Sequence, residues 1–259
     1  MTLTSDFGMR DFYVAAMKAA LMRHAPPDVR MIDVTHEIPR HDILCGAITL
    51  ERAVDGFLPG TVHLAVVDPG VGTARRILVV QMNRQTVVCP DNGLITWAWR
   101  RLGPSNAFEL TWRPKSASNT FHGRDIMAPA AGMLAAGTSI EAIARPITDP
   151  ILLDIAPAAP GSTTARIIHV DAFGNATTNM DYATLRARGD RTFRVAGRNL
   201  GPLRRTYQDV APGEPLALIG SSGLLEIAVR DGAAKELLNL KVGDEVILAT
   251  PVTGTRHTN

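Results

Sequence analysis

An α/β domain followed by a smaller, barrel-like all-β domain is the fold the sequence predicts, and three observations predict it. Through residue 154, strand-like apolar runs alternate with helix-like ones, the pattern of a parallel-type α/β layer structure. Residues 155–164, "IAPAAPGSTT", are rich in Ala, Pro and small polar residues, the composition of a linker. From 165 to 259 only short strand candidates appear, punctuated by Gly, Pro, Asn and Asp as in a small β-barrel or sandwich.

Each element has a local reason. "MTLT" reads as a strand, and 11–25 as a helix rich in Ala, Met and Leu that stops before Pro26-Pro27, where a helix cannot continue. A second strand spans 29–34, and a second helix spans 42–54 with Asp42 as its N-cap. "TVHLAVV" (61–67) is a continuous apolar run, as expected of a strand buried on both faces. "RILVVQ" and "QTVVC" flank the polar pair Asn83-Arg84 and read as a hairpin. Two further helical stretches span 92–102 and 125–136. In the second half the strand candidates are "ARIIHV", "RTFRVAG", "EPLALIG", "LLEIAV" and "DEVILA", and the tail "TPVTGTRHTN" is expected to fray.

Composition narrows the function classes. Hydrophobic residues make up 46% of the 259 and charged ones 20%, as in ordinary globular chains, and a net charge of +2 gives no sign of a nucleic-acid partner. No run reaches the roughly 18–20 apolar residues that span a bilayer. Strand-like residues directly after Met1 leave no room for a signal peptide, so a cytoplasmic protein is expected. Cys45 and Cys89 lack metal-ligand spacing and read as reduced core thiols.

The stretch "AVVDPGVGTARRI" (65–77) invites a phosphate-loop reading. Gly70 and Gly72 are present, but Arg75 occupies the third glycine position of a dinucleotide fingerprint, and a strand follows instead of a helix. The phosphate reading therefore fails on context. Other polar residues gather at the ends of apolar runs, where open α/β sheets place their ligand sites. They are Asp6, with Asp11 opening the next helix, then His36, Asp91-Asn92, and His122 with Arg124 and Asp125. The second half adds "VDAFGN" (170–175), Thr178-Asn179 and "GSSG" (220–223). Singly, each has a structural explanation as a turn, a cap or a satisfied core histidine.

In this order, "TLTSDFG", "DFYVAAMKA", "DVTHEIPRHDI", "HLAVVDPGVGTARR", "PDNGLIT", "TFHGRDI", "VDAFGNATTN" and "GSSGLLEIAV" resemble the S-adenosylmethionine hydroxide adenosyltransferases, relatives of the fluorinating and chlorinating enzymes. The resemblance runs from residue 2 to about residue 232. It implies cleavage of S-adenosyl-L-methionine by water to adenosine and L-methionine, without cofactor or metal. It also implies an α/β domain followed by a barrel-like domain, and a homotrimer whose substrate lies between the first domain of one subunit and the second domain of its neighbour. Asp68, Arg75 and His122 fall on the family's catalytic set, and Asp6 on the carboxylate that binds the ribose hydroxyls. Asp11 and Asp171 fall near the methionine ammonium, Ser221 near its carboxylate, and Phe173 and Asn175 on adenine contacts. The halogenating relatives carry an inserted loop in the hairpin before "PDNG" and lack an aspartate at position 68. They also have a different residue at position 122, so all three features favour water over halide. Two positions depart from relatives: His41 stands where halogenases have tryptophan, and Arg230 where many relatives have asparagine.

The chemistry suits these residues. A sulfonium makes methionine a neutral leaving group, so attack at ribose C5′ needs an activated water and no acid for the sulfur. Water itself, with a pKa of about 15.7, is a poor nucleophile. Arg75 cannot be the base, because its guanidinium stays protonated. Asp68 and His122 are both candidates, and the sequence leaves the choice between them open. Two other classes remain as rivals. A metal-dependent hydrolase would require His36, His41, Asp42, His63, Asp68 and His122 to meet, without any H-x-H or H-E-x-x-H pair to support it. A non-catalytic sensor of the same nucleoside would keep the binding residues and lose turnover.

Overall fold

Strand β3 (Val62–Val66) is buried at every position, and the alternation of its side chains separates two apolar layers. The structure, a computed structural model, describes residues 1–103, 105–187 and 191–249. It divides into two compact units, Met1–Ile155 and Ala156–Asn259. The tail 250–259, expected to fray, lies outside the described residues.

In the first unit β3 is joined by β1 (Thr2–Ser5), β2 (Ile32–Thr35), β4 (Ile77–Met82), β5 (Gln85–Pro90), β6 (Ser105–Leu110) and β7 (Ala144–Ile147), in the order β2-β1-β3-β5-β4-β6-β7. Val62, Leu64 and Val66 face a cluster with Met17 and Leu21 of α1 (Tyr13–Met22) and Ala128, Ala130 and Ala131 of α4 (Ala128–Ala135). Ala65 and Val67 belong to the opposite cluster, with Leu50 and Val54 of α2 (Ile43–Gly56) and Ala98 of α3 (Thr96–Arg101). Helices therefore cover both faces, as a sheet with a fully apolar central strand requires. Asp42 caps α2 as expected, its Oδ1 accepting from the Cys45 N–H at 2.9 Å.

Parallel pairing holds only for β2, β1, β3 and β5; β4, β6 and β7 are antiparallel. The cause is local. Asn83 and Arg84 both have positive φ, 48° and 60°, so a two-residue turn reverses the chain, whereas a parallel return needs a dozen residues or more. Strands β6 and β7 escaped the sequence reading. "SNAFEL" is half polar, and "ARPI" is short with Pro146, which only an edge strand tolerates.

The second unit is a closed barrel of β8 (Thr164–Val170), β9 (Ala176–Asp181), β10 (Thr192–Val195), β11 (Arg198–Arg204), β12 (Pro215–Ile219), β13 (Leu224–Val229) and β14 (Glu245–Ala249). It is not purely β: α5 (Tyr182–Arg186) and α6 (Ala234–Leu237) interrupt it. Strands β9 and β11 were not foreseen. The first, "ATTNMD", buries polar Thr177 and Thr178, and the second contains Gly201 and Pro202. Barrel closure supplies hydrogen-bond partners that their local propensity does not suggest.

Glycine sets the spacing between α1 and α4. A Cβ on Gly132 would lie 2.6 Å from the Leu21 carbonyl oxygen and 3.1 Å from the Ala25 nitrogen. We expect Gly132→Ala to lower stability by about 1–3 kcal/mol through overpacking, measured by denaturant unfolding; an unchanged midpoint would contradict this contact.

Candidate active site

Strands β1, β2 and β3 are parallel neighbours, with Ser5 opposite Val66, so the residues just after them emerge at one sheet edge. Those residues are Asp6, His36 and Asp68. This is the carboxyl-end position where open α/β sheets bind ligands. Asn92, after the parallel neighbour β5, donates its Nδ2–H to the Val67 carbonyl at 2.8 Å and ties that loop to the same edge.

The loop after β3 turns back on itself. The Val71 N–H bonds to the Asp68 carbonyl and the Thr73 N–H to the Gly70 carbonyl, both at 3.2 Å, which returns Arg75 to Asp68. Arg75 grips that carboxylate as a fork: Nε donates to Oδ1 at 2.7 Å and Nη2 donates to Oδ2. Both side chains are more than nine-tenths buried. Gly72 has φ +84°, and a Cβ there would stand 2.6 Å from the Asn119 carbonyl. The glycines of this stretch let the loop pass close to the segment that delivers His122.

His122 precedes a π-helical turn, Gly123–Met127, that runs into α4. Arg75 Nη2 lies 3.2 Å from His122 Nδ1. A guanidinium only donates, so Nδ1 accepts and the neutral ring carries its proton on Nε2. Burial, reinforced by the Arg75 and Arg113 charges, pushes the His122 pKa below its ordinary value, against the pull of Asp68 and Asp125. The ring is therefore neutral near pH 7, with its proton on Nε2.

Asp6, Asp11, Asp68 and His122 line one cavity of about 620 Å³ within the first unit, in the size range of small-molecule sites. Arg75 stands behind Asp68 and is not part of the cavity wall. Asp6 Oδ2 accepts the His41 backbone N–H at 3.0 Å, with His41 held at φ +64° on the wall. Asp11 does not cap α1: the cap position is Phe12, with no side-chain hydrogen bond, and Asp11 is exposed. Glu37 adds a fourth carboxylate to the lining, and Arg40 is its arginine. With Arg75 behind Asp68 counted, four carboxylates face two arginines, a net negative setting that suits a cationic ligand.

The sequence reading missed the aromatic wall. Phe7, Tyr13 and Phe121 line the cavity, with edge-to-face ring centroids 5.4–6.3 Å apart. A signal was present: in a chain that is only 5% aromatic, these rings sit in "TSDFG", "DFY" and "TFHG", beside aspartates and a histidine already singled out.

The remaining candidates lie in the second unit. Asp171 shapes the turn between β8 and β9. Its Oδ1 accepts the Phe173 and Asn175 N–H groups, both at 2.9 Å, and Oδ2 accepts from Asn175 Nδ2 at 3.4 Å. That turn presents Phe173 with 79% of its surface exposed. Ser221 is exposed in the turn between β12 and β13.

Residues weighed as metal ligands have other roles. His63 joins a buried chain: Thr2 Oγ1 is 2.7 Å from Nδ1, Nε2 is 2.7 Å from Gln85 Oε1, and Gln85 Nε2 donates to the Val54 carbonyl at 2.6 Å. His36 Nδ1 meets Ser5 Oγ at 2.7 Å. Among the described residues, no three His, Cys, Asp or Glu side chains gather as metal ligands, and no helix is long and apolar enough to cross a membrane. Cys45 and Cys89 are free.

Family models match both parts of the chain: the SAM hydroxide adenosyltransferase N-terminal domain over residues 1–144 and its C-terminal domain over 165–247. The chain belongs to this family. It is 42% identical to the (R)-S-adenosyl-L-methionine hydrolase of Thermus thermophilus, over 94% of this chain and 97% of that protein. It is 41% identical to the one of Salinispora tropica, over 95% and 96%. The fluorinase of an Actinoplanes species is more distant, at 26% identity over 92% and 93%. Among solved structures, an uncharacterized conserved protein from Thermotoga maritima superposes with a TM-score of 0.88 at 33% identity, covering 96% of this chain and 99% of that one.

The geometry around His122 predicts its titration. By NMR, the imidazole is expected to titrate below its ordinary value of 6.5, with Nε2 protonated in the neutral form. Removing the guanidinium by Arg75→Met should move the midpoint upward; a downward move would contradict the assigned bond.

Proposed function

We propose that this protein hydrolyses S-adenosyl-L-methionine to adenosine and L-methionine. The observation that carries the reading is the Asp68–Arg75–His122 constellation beside a cavity whose acidic wall suits a substrate bearing a sulfonium and an ammonium. The hydrolase names of relatives 41–42% identical over most of the chain support it.

Asp68 orients the attacking water and accepts its proton. Arg75 fixes that carboxylate and pins His122 Nδ1, so the neutral imidazole donates from Nε2 to the reacting oxygen and is not the base. The water oxygen forms a bond to C5′ as the C5′–S bond breaks, and the electron pair stays on sulfur as a neutral thioether. Charge growing on oxygen approaches a cationic sulfonium, so charge is partly cancelled as the transition state forms. Excluding bulk water strengthens that attraction. No step calls for a metal or cofactor. The two-residue turn at Asn83-Arg84 leaves no room for the loop that the resemblance associates with halogenation.

Asp6 is assigned to the ribose hydroxyls and Asp11 to the ammonium, by resemblance. The same resemblance assigns Asp171 to the ammonium, Ser221 to the methionine carboxylate, and Phe173 and Asn175 to adenine. We propose that these second-unit residues complete the site of a neighbouring copy in a homotrimer.

Chelator-treated protein incubated with S-adenosyl-L-methionine in chloride buffer made with heavy-oxygen water should yield adenosine labelled at C5′. Asp68→Ala should lower the rate by at least about 100-fold. Chlorinated nucleoside, or activity lost on chelation, would reject the mechanism, and tight binding without product would make the protein a sensor.

Shared sites have their own signature. Asp68→Ala and Asn175→Ala proteins, each impaired alone, should recover activity when unfolded and refolded together, with about a quarter of sites intact by random assortment. No recovery would place each site within one copy.

A further inference from the structure

Glu226 is a carboxylate in the wrong place for stability. It sits on β13, every residue of which is buried, and retains only 9% of its own surface. Burying a carboxylate costs free energy that is offset only by well-placed partners, so the groups packed around it matter. A register break between Leu224 and Glu226 interrupts the β13–β9 pairing beside it and sets Glu226 opposite Thr177. Such irregularities re-aim side chains next to sites.

Its surroundings lie between two turns. Oε1 accepts the Tyr207 hydroxyl at 2.8 Å. Oε2 lies against Gly220, where a Cβ would stand only 2.6 Å away, so the carboxylate packs under the first residue of the turn that bears Ser221. Tyr207 is itself held firmly. It opens a 3₁₀ turn with a reciprocal capping box between Thr206 and Asp209. Arg230, just past the end of β13, donates Nη1 to the Val210 carbonyl at 2.8 Å at the end of that turn. The departure at position 230 thus braces the Tyr207 segment. Burial and Glu226 raise the Tyr207 phenol to about 12, with a smaller contribution from Asp171, so the hydroxyl remains a donor throughout the physiological range.

We propose that Tyr207 and Glu226 form a positioning pair that holds the Gly220–Gly223 turn, and with it Ser221, in the geometry that binds the amino-acid end of the substrate. The proposal rests on the functional reading above. Neither residue is assigned a contact with the reacting atoms, so the pair should affect substrate affinity and spare the chemical step.

The test compares Tyr207→Phe, Glu226→Gln, Glu226→Leu and Gly220→Ala with wild type, measuring KM and kcat for S-adenosyl-L-methionine and the inhibition constant of adenosine. Tyr207→Phe, Glu226→Leu and Gly220→Ala should raise KM by about 5–10-fold with kcat within about twofold. Glu226→Gln, whose amide oxygen still accepts from Tyr207, should stay near wild type. The adenosine constant should not move, because adenosine lacks the amino-acid arm. Tyr207→Phe keeps the ring and decides the matter if Glu226→Leu fails to fold. A lowered melting temperature with unchanged KM would overturn the pair's role, as would parallel losses for substrate and adenosine. Wild-type protein that turns over no S-adenosyl-L-methionine would overturn the functional reading and this inference together.

Discussion

The fork of Arg75 on Asp68 is the interaction on which the first unit's site depends. It has consequences in three directions. It removes the need for any other cation to balance a carboxylate whose side chain is 5% exposed. It shares one guanidinium nitrogen with His122 and so settles which imidazole nitrogen carries the proton. It also requires the loop between the two residues to double back, which is where the glycines enter. Gly72, at positive φ and pressed against the Asn119 carbonyl, occupies a place that no side chain can share.

The sheet explains why this arrangement can be rigid. Parallel strands β1, β2 and β3 end together, and the fully buried β3 is covered on both faces. Asp6, His36 and Asp68 therefore start from backbone with little freedom to move. The antiparallel half of the sheet bears on the site less directly. Its β4 begins just after Arg75 and Arg76, and its hairpin partner β5 leads into Asp91 and Asn92. Arg76 donates to Asp91 at 2.7 Å while Arg75 serves Asp68, so adjacent arginines anchor two loops of the same edge.

Polar groups are buried in both units, at different scales. In the first, Thr2, His63, Gln85 and the Val54 carbonyl satisfy one another across three strands and a helix, which lets a histidine sit inside an apolar strand. In the second, the buried Glu226 packs under the Gly220–Gly223 turn and accepts a hydrogen bond from Tyr207, which is 41% exposed. The first group completes a core, and the second joins a buried strand to two surface turns.

Much of this was legible in the chain itself, because it depends on local chemistry. The Asn83-Arg84 hairpin, the Asp42 cap, the uninterrupted apolar run of β3 and the ordered motifs around Asp6, Asp68 and His122 are all set by near neighbours in sequence. The family followed from their order. What depended on distant residues was not legible. Strands β9 and β11 have weak propensity and exist because the barrel closes around them. Phe7, Tyr13 and Phe121 become one wall only when β1, α1 and the His122 segment converge. Which His122 nitrogen Arg75 engages also waited for tertiary structure. It turns on a 3.2 Å contact between residues 47 positions apart, and a sequence lists a histidine without saying which of its nitrogens is already engaged.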